Sequence, residues 1–237
     1  MTNAHATLDN PVWYALTTQQ AAIALGDHLA RRYPPEIAPF GAVAANDEEA
    51  FDSLARLIPS GESVALLGDH PAIGDAWDLL RQVPLAQMIY DGPALASMEA
   101  NSTVKPLSSA DIPAMLQLVE ITHPGPFLPR TIELGRYLAI WQEGHLAAMA
   151  GERLHVPGYR EISAVCTHPA FQKRGYAREL VRHLIYEIQR MGDIPFLHVF
   201  SENTGALTLY EALGFTWRAE LPLYILRRRE CAELHVG

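Results

Sequence analysis

The sequence has 237 residues, which at about 100–200 residues per domain allows one large domain or two small ones. Hydrophobic residues make up 49% and charged residues 19%, a globular balance that excludes a disordered, collagen-like or fibrous chain. Lys and Arg total 18 against 27 Asp and Glu, so the formal net charge of -9 disfavours nucleic acid and anionic lipid as partners. Two cysteines, Cys166 and Cys231, are too few for a disulfide framework, and the N-terminus lacks the basic start and apolar stretch of a signal peptide. No apolar run approaches the roughly 18 residues of a membrane span, so the expected compartment is the reducing cytoplasm.

In chain order, the composition from Asn10 to Tyr33 predicts a helix that stops before Pro34-Pro35. Apolar runs at Gly41–Ala45, Ser63–Leu67 and Leu85–Tyr90 alternate with helical stretches at Glu48–Leu57 and Ile73–Arg81, which suggests a small α/β unit without visible chemistry. The loop-like Asn101-Ser102-Thr103 reads as the boundary, dividing the chain into residues 1–102 and 103–237.

The second part opens with a strand at Val104–Leu107 and a helix start at Ser108–Asp111, where Ile112, Met115, Leu116 and Val119 recur at helical spacing. The Pro-rich segment Thr122–Arg130 is a loop able to shape a pocket, followed by a short helix at Thr131–Tyr137. Strands are predicted at Leu138–Trp141, His145–Gly151 and Glu161–Thr167. The clearest helix follows, with Ala177, Leu180, Val181, Leu184, Ile185 and Ile188 on one face and Arg178, Glu179, Arg182 and Arg190 on the other. A loop containing Gly175 and the small Ala177 therefore joins a buried strand to a helix N-terminus, whose free amides and dipole favour an anion. Lys173, Arg174 and Arg178 add local positive charge to an acidic protein, and a diphosphate would fit there. After a strand at Pro195–Phe200, Asn203 is a good N-cap; Ala206, Leu209, Tyr210 and Leu213 share a helix face, and Gly214 ends that helix. Further strands are expected at Phe215–Trp217 and Leu221–Leu226.

The run Gln172-Lys173-Arg174-Gly175-Tyr176-Ala177 resembles the Gln/Arg-x-x-Gly-x-Gly/Ala loop of the GNAT superfamily of N-acyltransferases, which binds the pyrophosphate of acyl-coenzyme A. The pattern Asn203-x-x-Ala206-x-x-x-Tyr210-x-x-x-Gly214-Phe215 stands where that family requires it and makes the match specific. The resemblance covers roughly residues 104–229 and is, more narrowly, similar to the glycine N-acyltransferase-like branch. It implies an α/β fold with a mixed central sheet flanked by helices, preceded by a smaller α/β domain that reads as a degenerate half-repeat. The implied reaction is direct transfer of an acetyl or other short acyl group from acetyl-CoA, or another acyl-CoA, to an amine, without a metal. The backbone of Val165, Cys166 and Thr167 would align the pantetheine and polarise the thioester, and Gln172, Lys173, Arg174, Gly175, Tyr176 and Ala177 would hold the diphosphate. Asn203 would contact the coenzyme, and Tyr210 would contact it and protonate the departing thiolate.

The base that takes the amine proton stays open between Glu161, at the offset where histone-acetylating members carry theirs, and Glu152 on the neighbouring strand. For both, the alternative is an ion pair with Arg153 or Arg160. Cys166 inside a strand reads as a small buried hydrophobe, not a nucleophile. The ten histidines show no metal-binding spacing; His155, His168 and His198 line the groove or lie beside it. A non-catalytic acyl-coenzyme A sensor is the rival from another class, and a dinucleotide oxidoreductase is disfavoured because Gly-x-Gly-x-x-Gly is absent.

Overall fold

The computed structural model describes residues 5–68, 71–97 and 103–230, so Cys231 and, within the expected boundary, Asn101 and Ser102 lie outside the described residues. The described residues form two compact units, each discontinuous in sequence: those within 1–34, 39–84 and 221–237 make the first, and those within 35–38 and 85–220 the second. These units part at Pro84/Leu85 and again at Glu220/Leu221, not at a single cut after residue 102.

In the first unit, helix α1 (Pro11–Thr17) is capped by Asn10, whose side chain accepts from the Trp13 amide. It ends early because the hydroxyls of Thr17 and Thr18 turn back onto the carbonyls of Trp13 and Tyr14. The helix expected as far as Tyr33 is replaced by strands β1 (Leu25–Gly26) and β2 (Ala30–Arg32), which form an antiparallel sheet with β3 (Gly41–Val43). Asp27 decides this: its carboxylate accepts from the amides of Leu29 and Ala30 at 2.8 and 3.0 Å and closes a hairpin. Helix α2 (Glu48–Leu57) forms as expected, with Asp47 accepting from the Ala50 amide at 3.0 Å. Strand β4 (Ser63–Leu67) pairs antiparallel with residues 223–227 of the last strand, β11 (Phe215–Arg228).

The stretch expected to be helical at Ile73–Arg81 instead enters the long strand β5 (Trp77–Tyr90). Its first residues are claimed by the end of the chain: the Arg229 amide bonds to the Ala76 carbonyl at 2.8 Å, and the Arg227 and Arg229 side chains hold Asp78. Tertiary pairing overrides the local helical preference. The two strands expected at the C-terminus are likewise one, running through Pro222, whose carbonyl accepts from Gly68.

The second unit contains β6 (Val104–Pro106), α3 (Ile112–Thr122), β7 (Tyr137–Gln142), β8 (His145–Val156), β9 (Tyr159–Thr167), α4 (Tyr176–Arg190), β10 (Ile194–Phe200) and α5 (Thr204–Glu211). Its sheet has the order β11-β5-β10-β9-β8-β7-β6. The sheet is mixed, because β9 and β10 run parallel while β10 with β5, and β8 with β9, run antiparallel. Helix α4 packs Leu180, Val181, Leu184, Ile185 and Ile188 against Ala148, Ala150, Ile162 and Leu197. On the opposite face, α3 packs Met115 and Leu118 against Tyr137, Met149, Ala164 and Cys166; β7 and β8 reach the two faces by alternation, whereas in β9 a bulge turns Ala164 and Cys166 away from the face of Ile162.

The short helix expected at Thr131–Tyr137 shrinks to a 3-10 turn at Thr131–Leu134, because Tyr137 is taken into β7. Its ring lies flat over its cross-strand partner Gly151, where an added Cβ would sit 2.2 Å from the ring. Only glycine fits beneath it. Two bulges break the β8–β9 ladder, one at Arg153–Leu154 on β8 and one at Ala164–Val165 on β9, with Ala164 at φ 53°.

Candidate active site

The loop between β9 and α4 is built to leave donors open. Lys173 at φ 63° and Gly175 at φ 83° both take the left-handed conformation, and Gly175 occupies the N-cap of α4 without any side-chain cap. The first bond of the helix runs from the Glu179 amide to the Gly175 carbonyl, so the amides of Tyr176, Ala177 and Arg178 have no intrahelical partner. A Cβ at Gly175 would meet nothing within 4 Å, so the space above the loop is free for a ligand. Lys173 and Arg174 are exposed there, with the Arg174 guanidinium 5.2 Å from the centre of the Phe171 ring. Gln172, Lys173, Arg174, Gly175, Tyr176 and Ala177 thus form one contiguous loop and helix start, with the open amides and positive charge that suit an anion.

A split in the sheet begins beside this loop. Strands β9 and β10 pair through Ile194–Tyr159, Pro195–Arg160 and Phe196–Glu161, after which β10 continues against β5 and β9 against β8. The edge of β9 facing β10 is left without a strand partner from residue 162 to 167. The His168 amide bonds to Ala147 on β8 at 2.8 Å, so strand alternation turns the Cys166 amide toward β8 and those of Val165 and Thr167 toward the split. Such aligned donors can bind an amide-rich arm and polarise a carbonyl.

The two candidate glutamates are both buried and both ion-paired. Glu161 receives Arg153 through both oxygens at 2.5 and 2.8 Å, His198 Nδ1 at 2.8 Å, and the Leu154 amide, freed by the bulge, at 3.3 Å. Burial pushes its pKa up, but the charge and hydrogen bonds of Arg153, with His198, outweigh burial and hold it at about 2. Glu152 lies near α4, with Arg160 at 3.0 Å on one oxygen and Arg136 at 3.1 Å from the other, outside hydrogen-bond geometry. Arg136 also holds Glu187 of α4 at 2.8 Å, and Arg160 also pairs with Asp193. The ion pairs expected as the alternative are therefore present, and neither carboxylate is held apart from a cation.

Tyr210 of α5 is buried, edge-on to Phe215 with ring centres 5.9 Å apart. Burial, with the nearby Cys166 adding to it, pushes the phenol up to about 12, so it keeps its proton at neutral pH. Asn203 caps α5, accepting from the Ala206 amide at 3.1 Å. The Cys166 thiol is buried and pushed up to about 11, which leaves little thiolate for covalent chemistry. His168 is tied down by the Ala170 amide, and His155 sits between Asp193 and Arg160, its pKa lowered by burial and by the arginine. From the sequence His198 lines the groove or lies beside it, with no role assigned; Arg153 has no role beyond an ion pair, and Gln87 and Arg218 have none. These groups meet here from strands far apart in sequence. Among the described residues no His, Cys, Asp and Glu cluster could hold a metal ion, and no helix is long and apolar enough to cross a membrane.

Residues 137–221 match the family model described as FR47-like protein. The ribosomal protein bS18-alanine N-acetyltransferase of Salmonella typhimurium is 32% identical over 120 residues, which cover 48% of this chain and 80% of that protein. A crystal structure from Novosphingobium aromaticivorans, described as a GNAT-family acetyltransferase, is 34% identical with a TM-score of 0.87, covering 94% of this chain and 99% of that one. A GCN5-related N-acetyltransferase from Kribbella flavida shares the fold, with a TM-score of 0.59 at 14% identity over 93% of this chain and 97% of its own. The chain that carries this open helix start and split sheet is similar to acetyltransferases over most of their length, and it belongs to the GNAT family.

Proposed function

We propose that the protein moves an acetyl or other short acyl group from acyl-coenzyme A to an amine of low pKa, such as an α-amino group. GNAT acetyltransferases take acetyl-coenzyme A as cosubstrate and an amine as acceptor. The observation that carries the reading is the uncapped, left-handed start of α4 at the end of an unpaired strand edge. Residues 172–177 would hold the diphosphate, with Asn203 a further coenzyme contact, and the backbone of Val165 and Thr167 would align the pantetheine and thioester.

The amine nitrogen attacks the thioester carbon, the carbon–sulfur bond breaks, and the proton of Tyr210 is shared with the departing sulfur. A phenol near 12 stays a donor throughout, so its contribution is a hydrogen bond to the developing thiolate more than a completed transfer. The amine also loses a proton. Glu161 and Glu152 are the carboxylates nearest the task, but with Glu161 held at about 2 and both paired to arginines, a strong base is not what they offer. An α-amino group with an ordinary pKa near 8 arrives partly neutral at pH 7 and can lose its proton to water, whereas an alkylamine above 10 cannot. In the same reading the protein works in the cytoplasm and the first compact unit acts as an accessory domain. The narrower likeness to glycine N-acyltransferase-like proteins makes glycine one acceptor to try.

The test compares acetyl transfer to an alanine-initiated peptide, glycine and a primary alkylamine at pH 7 and pH 9. The expected result is at least a roughly tenfold preference in kcat/KM for the alanine-initiated peptide over the alkylamine at pH 7, narrowing at pH 9, with glycine, whose amine titrates well above a peptide N-terminus, following the alkylamine. A preference for the alkylamine at pH 7 would require a real base and overturn the acceptor assignment. Coenzyme binding without transfer to any amine would leave the sensor reading in its place.

A further inference from the structure

A single row of side chains crosses the sheet of the second unit where β9 and β10 part. Arg218 on β11 donates to Gln87 Oε1 on β5 at 2.7 Å, and Gln87 Nε2 lies 3.0 Å from His198 Nε2 on β10. His198 Nδ1 lies 2.8 Å from Glu161 Oε1 on β9, and Arg153 on β8 closes the row on the same carboxylate. The order of strands is that of the sheet, one residue per strand. Gln87 and Glu161 are 0% exposed and the His198 side chain 1%.

The row assigns its own protons. A guanidinium only donates, so Arg218 fixes the oxygen of Gln87 toward itself and the amide nitrogen toward His198. His198 Nε2 must then accept, which leaves the ring proton on Nδ1, facing the Glu161 carboxylate. Burying such a row costs more than an apolar one of the same shape, so its presence calls for a task beyond stability. Its position supplies the task. Phe196–Glu161 is the last rung of the β9–β10 pairing, and the His198–Glu161 bond spans the same two strands two residues further along β10.

We infer that His198 is a positioning residue: its Nδ1–H, held toward Glu161, ties β10 to β9 at the point where they part and fixes the width of the split that receives the acyl thioester. This rests on the acyltransferase reading above. The clasp sets how the Val165 and Thr167 amides meet the thioester carbonyl, while the diphosphate cradle, on a separate loop, is untouched by it. Its loss therefore acts on turnover and not on coenzyme binding, because small misplacements of reacting groups slow a reaction steeply.

Three variants separate the two ring nitrogens. His198→Asn places an amide N–H near the position of Nδ1, His198→Gln places its amide near Nε2, and His198→Ala removes both. Expected is a roughly 10²-fold fall in kcat for Ala and Gln, with the coenzyme A dissociation constant within about threefold of wild type, and recovery by Asn to within about fivefold of wild type. If Asn is as slow as Ala, Nε2 takes part in proton transfer and the inference fails; if Ala turns over like wild type, the clasp has no task and it also fails. The ring nitrogen NMR spectrum of the wild-type protein gives an answer independent of turnover: the His198 proton on Nδ1 supports the clasp, and on Nε2 overturns it. A wild type that binds no coenzyme A fails the acyltransferase reading instead, and the ring spectrum still decides the clasp.

Discussion

Two helices of this chain begin in opposite ways. At α2, Asp47 accepts from the Ala50 amide, and Glu48 and Glu49 fill the first turn with negative charge, so the helix satisfies and repels at its own N-terminus. At α4, the cap is a left-handed glycine with no side chain to offer, flanked by Lys173 and Arg174. The first arrangement stabilises a helix. The second forgoes that stabilisation and leaves amides free, as the proposed diphosphate site in this chain of net charge -9 requires.

The sharpest way to break this contrast is to make α4 resemble α2. Gly175→Glu puts a carboxylate and a strained side chain where the cradle is open, and acetyl-CoA should then no longer raise the melting temperature, with kcat/KM down by about 10³-fold or more. An unchanged thermal shift would mean that the ligand lies elsewhere. Next in size is Tyr210→Phe, which keeps the ring against Phe215 while deleting the donor. Coenzyme affinity and melting temperature should hold while kcat falls by roughly 10²-fold, and wild-type turnover would make Tyr210 a core aromatic only.

Glu161→Gln, whose amide oxygen can still accept from His198 Nδ1 and so keeps the clasp, should cost only about fivefold in kcat, uniformly between pH 6.5 and 9; a loss that shrinks as pH rises would restore Glu161 as the base. The same variant has a stability signature. With its folded pKa at about 2 against an ordinary 4.5, Glu161 contributes fully above pH 4.5 and loses that contribution as pH falls through about 2. Melting curves of wild type and variant should therefore converge toward acid and separate toward neutral pH. The smallest effect belongs to the other helix: Asp47→Ala should lower stability by about 1 kcal/mol and leave coenzyme binding alone. A gain of coenzyme affinity there would blur the distinction between the two N-termini.

Where the chemistry is contiguous in sequence, the sequence makes it legible. The β9–loop–α4 segment, the Asn203 cap and the face carrying Tyr210 are all found within a residue or two, because glycine conformation, capping and helical period are local. The hairpin at Leu25–Arg32 was not legible, since its Ala, Leu and Arg content favours helix and the deciding groups are one Asp27 carboxylate and two threonine hydroxyls. Nor was the row from Arg218 to Arg153, whose members lie on strands brought side by side only by the sheet. Local patterns could suggest that Glu161 pairs with Arg153; they could not show that His198 and the Leu154 amide would claim the rest of its oxygens.

The pairing of β4 with residues 223–227 has a consequence for synthesis. Its strand is made early, but its hydrogen-bond partner is made only after strands β5 to β10 and the helices between them. During translation the edge at Ser63–Leu67 waits unpaired while the loop before α4 and its helix can already assemble, and β4, an apolar strand, is then the segment most exposed to wrong pairing. The order of assembly runs against the order of the chain.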